Sequence, residues 1–249
     1  MKKQKNKPQN NRKRTMNIRF DILSLFPEAF TSYFQTSIIK RAQNKKLLII
    51  KLHHIRDFAT GKHKTTDEKP YGGGPGMVMK FEPIYGAIKH ALANQPQKQR
   101  TATRIIVLSA KGKQFTQQDA HRLSKYKRLI IICGHYEGID ERVAKFCADE
   151  EICVGPYVLT GGEIPAMILV DAISRYVPGV LGKSESLEQE SFTAEKYKEY
   201  PHFTRPEKLL VRPLKKSLFD KQRVALVPKV LLSGDHKKIN DWRKKHSKQ

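Results

Sequence analysis

The alternation of apolar and polar segments along the chain predicts strands that are separated by helices. Short, mostly apolar runs, which are typical of buried strands, lie at 18–25, 47–55, 105–108, 129–133 and 152–154. Segments with the apolar spacing of a helix lie at 27–45, 81–93, 116–126, 139–146 and 164–176. Apolar strands that alternate with helices are typical of a parallel sheet covered on both faces. The pattern therefore predicts an α/β fold.

Two of these helices carry recognisable start signals. Pro27 and Glu28 stand where the first helix begins, a position that tolerates proline and favours an acidic side chain. Thr116 and Asp119 have the spacing of a capping box at the start of the helix at 116–126. Local signals and apolar spacing thus agree on where both helices begin.

The most distinctive stretch is residues 151–175, with the sequence EICVGPYVLTGGEIPAMILVDAISR. A short strand is followed by a loop that ends in Gly161-Gly162, and then by an apolar helix. This order is typical of a backbone cradle for a small ligand, and equally of an ordinary turn with glycines chosen for their dihedral angles. We expect Gly161 to adopt a positive φ. The helix has apolar residues on every face, which predicts burial all round, as at a subunit interface.

Three of the predicted strands are each followed by a loop, after Leu108, Cys133 and Val154. In open α/β sheets, ligands bind beyond the carboxyl ends of the strands. We therefore expect these three loops to face one pocket.

A long loop is predicted at 56–80, and it contains the run YGGGPGM at 71–77. Glycine and proline at this density exclude a helix and an ordinary strand, so the backbone must take an unusual path. A phosphate-binding nest is one interpretation. A P-loop is disfavoured, because no strand leads into the run and no Gly-Lys-Ser/Thr sequence follows it.

The charge of the chain points to a polyanionic partner. Lys and Arg number 48 against 24 Asp and Glu, which gives a formal net charge of +24. Residues 1–15 carry +7 of this charge and residues 196–249 carry +11, so only +6 remains for the part between them. Nucleic acid is the first candidate partner, and basic tails that merely keep the protein in solution are the alternative.

The same patterns divide the chain into four parts. Residues 1–15 are basic and poor in apolar side chains, which predicts a disordered tail. Residues 16–181 form the α/β domain. Residues 182–196 are acidic, with few apolar anchors, which predicts a flexible linker. Residues 197–249 form a small basic domain whose last helix is predicted at 237–245.

Cysteine usage and hydropathy indicate a cytoplasmic protein. Cys133, Cys147 and Cys153 lack the paired spacing of a zinc site, and their odd number disfavours a disulfide framework. We expect them to be reduced and to pack as small apolar side chains. No apolar segment is long enough to span a membrane, and the basic N-terminus lacks the apolar centre of a secretory signal.

Several long motifs resemble those of the bacterial tRNA (guanine-37-N1)-methyltransferases. They are YGGGPGM (71–77), CGHYEGIDER (133–142), VGPYVLTGGEIPAM (154–167), SRYVPGVLG (174–182), PHFTRP (201–206) and LLSGDH (231–236). The resemblance extends over about residues 16–243. It implies the SPOUT fold, in which an α/β domain ends in a trefoil knot, with a small, mainly helical C-terminal domain that binds tRNA. It also implies a homodimer whose active sites use residues of both subunits.

The resemblance implies S-adenosyl-L-methionine as the cofactor, and it allows a magnesium ion as a second one. Carried onto this sequence, the cofactor pocket consists of residues in the three loops already singled out by strand position. They are Leu108, Ser109, Gly134, Gly138, Val154, Gly155, Pro156, Tyr157, Val158, Leu159, Gly161, Gly162 and Pro165.

The reaction requires a base and a cation, because guanine N1 carries a proton at neutral pH and charge develops on O6 when that proton leaves. The resemblance assigns Glu190 as the base and Arg175 as the cation. It also assigns Tyr136, Glu137 and Asp67 to binding the guanine and its neighbour.

Each assignment has a plainer alternative. Arg175 lies one helical turn after Asp171, the spacing of an ion pair. Glu190 could be a solvated acid of the linker, and Tyr136 could belong to the core. The sequence also departs from the family pattern, which usually has Asp where this chain has Glu190 and often has tyrosine where it has Val107. A weakly catalytic RNA-binding protein, and a SPOUT enzyme that acts on ribosomal RNA, are therefore the competing functions.

Overall fold

A computed structural model describes residues 17–93, 97–182, 197–212 and 222–247; for residues 97–99 it describes the backbone alone. The chain divides into two compact units, residues 1–184 and residues 185–249. The first unit contains the sheet and most of the helices.

The first half of this unit contains four strands and three α-helices. In chain order they are β1 (Ile18–Ser24), α1 (Thr31–Phe34), α2 (Ser37–Asn44), β2 (Leu48–His54), β3 (Asp67–Glu68), β4 (Val78–Met79) and α3 (Phe81–Leu92). Short 3-10 helices occupy Pro27–Phe30 and Ile55–Phe58. The second half contains β5 (Thr103–Gln114), α4 (Gln117–Leu123), β6 (Arg128–Cys133), α5 (Glu141–Cys147), β7 (Glu150–Cys153) and α6 (Glu163–Ser174).

The main sheet has five parallel strands in the order β2-β1-β6-β5-β7. Alternate residues of each central strand face opposite sides, so the buried side chains form two separate clusters. In β6, Leu129 and Ile131 join the cluster that contains α4 and α6, whereas Ile130 and Ile132 join the one that contains α3 and α5. A strand buried on both faces needs apolar residues throughout. The predicted parallel α/β fold is therefore confirmed.

A charged side chain lies at the centre of the sheet, where the apolar pattern gave no sign of it. Asp21 of β1 is fully buried and accepts hydrogen bonds of 2.7 Å from Arg19, His53 and Arg128. Burial alone would raise the pKa of this carboxyl. The three donors more than offset that effect, so the pKa of Asp21 lies well below its ordinary value.

The single helix predicted at 27–45 is wrong, because the chain breaks it into three pieces. Pro27 does stand at the first position of the 3-10 helix. The break comes at Thr36, which is extended and whose hydroxyl donates to the carbonyl of Tyr33 at 2.8 Å, and at Ser37, which has a φ of 46°. Side chains that bond to the nearby backbone compete with a continuous helix. The capping box of Thr116 and Asp119 is confirmed at α4.

The loop expected after Leu108 is instead an irregularity within a longer strand. Leu108 and Lys113 both pair with Ile152 of β7, so residues 109–112 bulge out between them. Gly112 makes this possible, because a Cβ there would lie 2.7 Å from the backbone of Glu151 and Ile152. The bulge carries polar residues to the carboxyl end of the sheet.

The long loop at 56–80 is closed at its base by a small antiparallel pair. Asp67 of β3 pairs with Met79 of β4, so residues 69–77 form a loop whose two ends are held together. Gly72, Gly73, Gly74 and Gly76 all have positive φ values. The unusual backbone path predicted for this run is confirmed.

The second unit contains an antiparallel hairpin that the apolar pattern did not predict. Its strands are β8 (Lys208–Val211) and β9 (Arg223–Leu226), followed by α7 (Lys229–Leu232) and α8 (His236–His246). Trp242 of α8 stacks on His246, with ring centroids 4.1 Å apart, and meets Phe203 edge-on. The predicted final helix is thus present.

Candidate active site

A cavity of about 420 Å³ lies at the carboxyl ends of β6, β5 and β7, which are neighbours in the sheet. Three segments supply most of its lining: residues 107–111, residues 134–141 and residues 151–162 without 155 and 156. The bulge after Leu108 and the two loops after Cys133 and Val154 were expected to face one pocket, and the structure brings the three segments together.

Most of the residues assigned to the cofactor line this cavity. They are Leu108, Ser109, Gly134, Gly138, Val154, Tyr157, Val158, Leu159, Gly161, Gly162 and Pro165. Gly155 and Pro156 stand in the same loop but do not line it. A role for each of these residues in binding stays a prediction.

Lack of room for a Cβ, rather than a positive φ, explains the glycine pair before α6. Gly161 is not among the glycines with positive φ, so that expectation was wrong. A Cβ on Gly161 would instead meet the carboxylate of Glu163 and lie 2.7 Å from Nδ1 of His135. Gly162 donates a 2.8 Å hydrogen bond to the carbonyl of Gly134, and a Cβ there would lie 2.6 Å from Cα of Cys133.

Tyr136 is held at the edge of the cavity by a strained backbone. Its φ of 60° is uncommon for a residue other than glycine, and the following turn is closed by a 3.1 Å hydrogen bond from Gly138 to His135. The side chain is 45% exposed, so the interpretation of Tyr136 as a core residue is wrong. Glu137 lies next to it in the cavity wall and donates its N–H to Met77 at 3.0 Å.

A buried polar group beside the cavity was missed by the sequence analysis. Glu163, the first residue of α6, is 9% exposed and accepts a 2.7 Å hydrogen bond from the hydroxyl of Ser24. That hydroxyl accepts in turn from the N–H of Phe26 at 2.8 Å. Nδ1 of His135 is buried nearby without a partner among the described residues, and its ring lies 4.9 Å from that of Phe26. The sequence did carry a sign of this group, because Glu163 is an acidic residue at the start of an otherwise apolar helix.

Burial and Glu163 together keep the neighbouring thiol protonated. Cys133 is completely buried, and this raises its pKa well above the ordinary value; the negative charge of Glu163 adds to the effect. All three cysteines are free thiols. Cys133 therefore acts as a small apolar side chain, as expected.

Charged groups at the rim of the cavity are mostly acidic. Lys111 forms an ion pair with Glu141, and that contact raises the pKa of the lysine despite a small opposing effect of burial. The other charged lining residues are carboxylates: Glu137, Asp140 and Glu151. Asp140 is paired with Arg142 at 2.6 Å. The rim as a whole suits a ligand that carries positive charge.

The remaining assigned residues lie elsewhere. Arg175 directly follows α6 and lines a separate cavity of about 170 Å³ with Asp171 and Tyr33, among others. Asp67 lies in β3, outside the wall of the larger cavity. Glu190 lies outside the described residues, as do the predicted tail at 1–15 and most of the linker.

The described residues also bear on metal binding and on membrane association. Within residues 17–93, 97–182, 197–212 and 222–247, no three His, Cys, Asp or Glu side chains are grouped as a metal site would need. Among the helices in these ranges, none has the length and apolar character required to cross a bilayer.

Comparison with known proteins gives a consistent picture. Residues 18–249 match the family model described as tRNA (guanine-1)-methyltransferase TrmD. The tRNA (guanine-N(1)-)-methyltransferase of Carboxydothermus hydrogenoformans is 49% identical over 230 residues, which cover 92% of this chain and 83% of the relative. The enzyme of the same name from Clostridioides difficile is 46% identical, with 92% of each chain covered.

A solved structure agrees with these relatives. The crystal structure of the tRNA (m1G37) methyltransferase from Aquifex aeolicus superposes with a TM-score of 0.70 at 35% sequence identity. The match covers 92% of this chain and 89% of that one.

Proposed function

The chain belongs to the tRNA (guanine-1)-methyltransferase family, and on that premise we propose that it methylates N1 of the guanosine at position 37 of tRNA, 3′ to the anticodon, with S-adenosyl-L-methionine as the methyl donor. The observation that carries this proposal is the cavity formed where three loops converge at the ends of β6, β5 and β7. Its volume of about 420 Å³ is in the range of small-molecule sites.

The cavity fits the proposed cofactor in shape and in charge. Residues of the three loops form much of its wall, and the closeness of Gly162 to Gly134 leaves no room for a Cβ. The mostly acidic rim suits a sulfonium cation. The residues that would hold the cofactor are those of the three loops, from Leu108 and Ser109 to Gly161 and Gly162. When bound, the cofactor supplies an electrophilic methyl group.

The protein must supply a base and a cation for the guanine. We assign proton removal from N1 to Glu190, and stabilisation of the charge that develops on O6 to Arg175. Tyr136 presents an exposed ring at the cavity edge, which supports its assignment to packing on the target base. Glu137 and Asp67 complete the assigned guanine site; the hydrogen bonds from Met79 to Gly138 and from Asp140 to Met79 link the hairpin of Asp67 to the cavity loop.

A homodimer would bring Arg175 to this site from the other subunit. Within one chain, Arg175 lines a cavity different from the proposed cofactor site. On the same helix, Ile164 is 56% exposed and Ile168 is 39% exposed, although both are large and apolar. A second copy packed on this face would bury both side chains and bring Arg175 into a shared active site.

Backbone contacts around β6 also support the proposed trefoil knot. The segment that follows β7 returns to the end of β6, where Gly161 bridges to His135 and Gly162 bonds to Gly134. Residues 113 and 114 continue along β7 beyond the bulge. A trefoil knot would require such close contacts between the segment that follows β7 and the end of β6.

The basic second unit supports tRNA as the partner. Its last helix carries Lys237, Lys238, Arg243, Lys244 and Lys245, all on an element with no buried residue.

We retain the division into an α/β domain (16–181), a linker (182–196) and a tRNA-binding domain (197–249). A tRNA substrate and three free thiols both support the cytoplasm as its location. A magnesium ion stays an untested second cofactor.

Methyl transfer to tRNA transcripts tests the proposal directly. Transcripts with guanosine or adenosine at position 37, and ribosomal RNA in a separate reaction, would each be incubated with the protein and labelled S-adenosyl-L-methionine. We expect label in the guanosine transcript alone. Binding of tRNA without label would favour the weakly catalytic RNA-binding protein. Label in ribosomal RNA alone would favour a SPOUT enzyme that acts on ribosomal RNA.

The assignment of the base is tested by changes at position 190. Glu190→Gln should lower methyl transfer by about 100-fold or more, the usual contribution of a general base, while calorimetry should show nearly unchanged cofactor affinity. Glu190→Asp should retain activity, since it keeps the carboxylate that the family usually has. Glu188→Gln, a change at another acid of the same linker, is the matched control. Turnover by Glu190→Gln at the parent rate would contradict the assignment.

A further inference from the structure

One aromatic side chain projects from the first unit without any packing role. The side chain of Tyr71 is 104% exposed relative to a reference tyrosine, the highest value among the exposed large apolar and aromatic side chains that the structure describes. It stands at the start of the YGGGPGM run, directly before Gly72. An aromatic ring left wholly in water contributes nothing to the stability of one chain.

The glycines that follow Tyr71 keep the space around it open. Gly72, Gly73 and Gly74 have φ values of 86°, 78° and 122°, which side-chain-bearing residues rarely adopt. A Cβ on any of the three would meet no atom within 4 Å. Packing within the chain therefore does not explain these glycines; they give the backbone its path and leave an unobstructed surface beside the ring.

This loop is fastened to the wall of the cavity. Glu137 donates its N–H to the carbonyl of Met77 at 3.0 Å, and Gly76 packs against the side chain of Glu137. Further along, Met79 donates to the carbonyl of Gly138 at 2.9 Å. The loop of Tyr71 and the loop of Tyr136 are thus joined by backbone hydrogen bonds, so a ligand seated at Tyr136 has the Tyr71 loop as its neighbour.

Positive charge accompanies the exposed ring. Lys69 is exposed two residues before it. Proteins recognise single-stranded RNA by stacking unpaired bases on exposed aromatic rings while cations contact the phosphates. A protein partner would instead require an apolar surface around the ring, and the neighbouring residues here are glycine, proline and lysine.

We propose that Tyr71 is a base-stacking residue for the RNA substrate, and that it packs on the face of an unpaired nucleotide next to the guanosine that is methylated. This inference rests on the proposed function for the identity of the RNA. It assigns the glycine run to shaping an open surface for a base rather than to binding a phosphate. Tyr71 takes no part in proton or methyl transfer.

The test compares Tyr71→Ala with Tyr71→Phe, which keeps the ring. For Tyr71→Ala we expect KM and Kd for tRNA to rise by about 5- to 100-fold, the usual effect of losing one stacked base, with kcat and cofactor affinity unchanged. Tyr71→Phe should behave as the parent does. Tyr85→Ala, which removes another exposed tyrosine from outside the cavity wall, is the matched control.

A fluorescent base reports the stacking itself. Anticodon stem-loops with 2-aminopurine on the 5′ or the 3′ side of the target guanosine should lose fluorescence on binding the parent and the Phe variant, but not the Ala variant. Parent-like tRNA binding by Tyr71→Ala, or a loss that Phe fails to restore, would overturn the inference. If the parent binds the stem-loop through Tyr71 but transfers no methyl group, the proposed function fails and the inference stands.

Discussion

The two faces of α6 are equally apolar in sequence, yet one chain buries only one of them. On the inner face, Leu169 and Ile173 are fully buried against the sheet, whereas Ile164 and Ile168 on the outer face are 56% and 39% exposed. Burial on every face, as at a subunit interface, was expected; one chain provides it for the inner face, and for the outer face it stays a prediction. The difference teaches that apolar composition predicts that a surface will be covered, but not which molecule covers it.

The outer face also differs from the inner one in its polar neighbours. Asp171 and Arg175 lie along it and line a small cavity with Tyr33. This mixture of large apolar residues with a few charged ones is what the proposed dimer, with an active site shared between subunits, would use.

The largest expected effect on stability comes from the inner face. Leu169→Ala should lower the free energy of unfolding by about 2–5 kcal/mol, because it removes a fully buried side chain and leaves a cavity. Urea denaturation at several protein concentrations measures this loss.

Ile168→Ala on the outer face is the matched control. If a second copy covers this face, the loss in Ile168→Ala should depend on protein concentration, whereas the loss in Leu169→Ala should not. A concentration-independent loss of the same size in both variants would erase the distinction between the two faces.

Mixed dimers test whether Arg175 acts on the cavity of its own chain or on that of its partner. Arg175→Ala should be inactive because it lacks the cation, and Gly161→Val should be inactive because its side chain would collide with Glu163 and His135. After the two are unfolded together and refolded, about a quarter of the parent activity should return, since about half of the dimers are mixed and each has one complete site.

The outcome separates the two arrangements without ambiguity. If Arg175 served its own cavity, no mixed dimer would contain a complete site and activity would stay at the level of the separate variants. The control is the parent chain taken through the same refolding. Mass measurement of the mixture confirms that mixed dimers have formed.

Sequence patterns succeeded where local order decides the structure. The apolar runs of β1, β5 and β6 were found because strands buried on both faces have few polar residues, and α3 and α6 because their apolar spacing is regular. The positions of the three cavity loops followed from the parallel sheet alone.

Contacts between distant residues could not be predicted in the same way. Ser24 and Glu163 are 139 positions apart, and only the finished fold shows that they share a buried hydrogen bond. The buried Asp21 needs donors from two other strands, which no local pattern reveals. Gly161 was expected to serve a positive φ, but its reason is the closeness of His135 and Glu163. Each of these depends on tertiary packing.

The smallest expected effect is a shift in the ionisation of Tyr33 on the outer face of α6. Partial burial raises the pKa of Tyr33, and its hydrogen bond to the carboxylate of Asp171 raises it further. The neutral phenol is therefore favoured in the folded state, so this contribution to stability is present below the ordinary pKa of tyrosine and is lost as the pH rises through the raised pKa. The ultraviolet absorbance of tyrosinate, taken as the difference between the parent and Tyr33→Phe, isolates this one of nine tyrosines.

Asp171→Asn should bring the pKa of Tyr33 back toward its ordinary value, whereas Asp57→Asn, a change at an exposed aspartate in another element, should not. A second copy packed on this face would bury Tyr33 and Asp171 further, and desolvation of the phenolate would then raise the pKa more. The shift should therefore grow as dimers form with increasing protein concentration. A shift that is the same at every concentration would mean that this part of the outer face stays in water, and the proposed interface would have to lie nearer to Ile164.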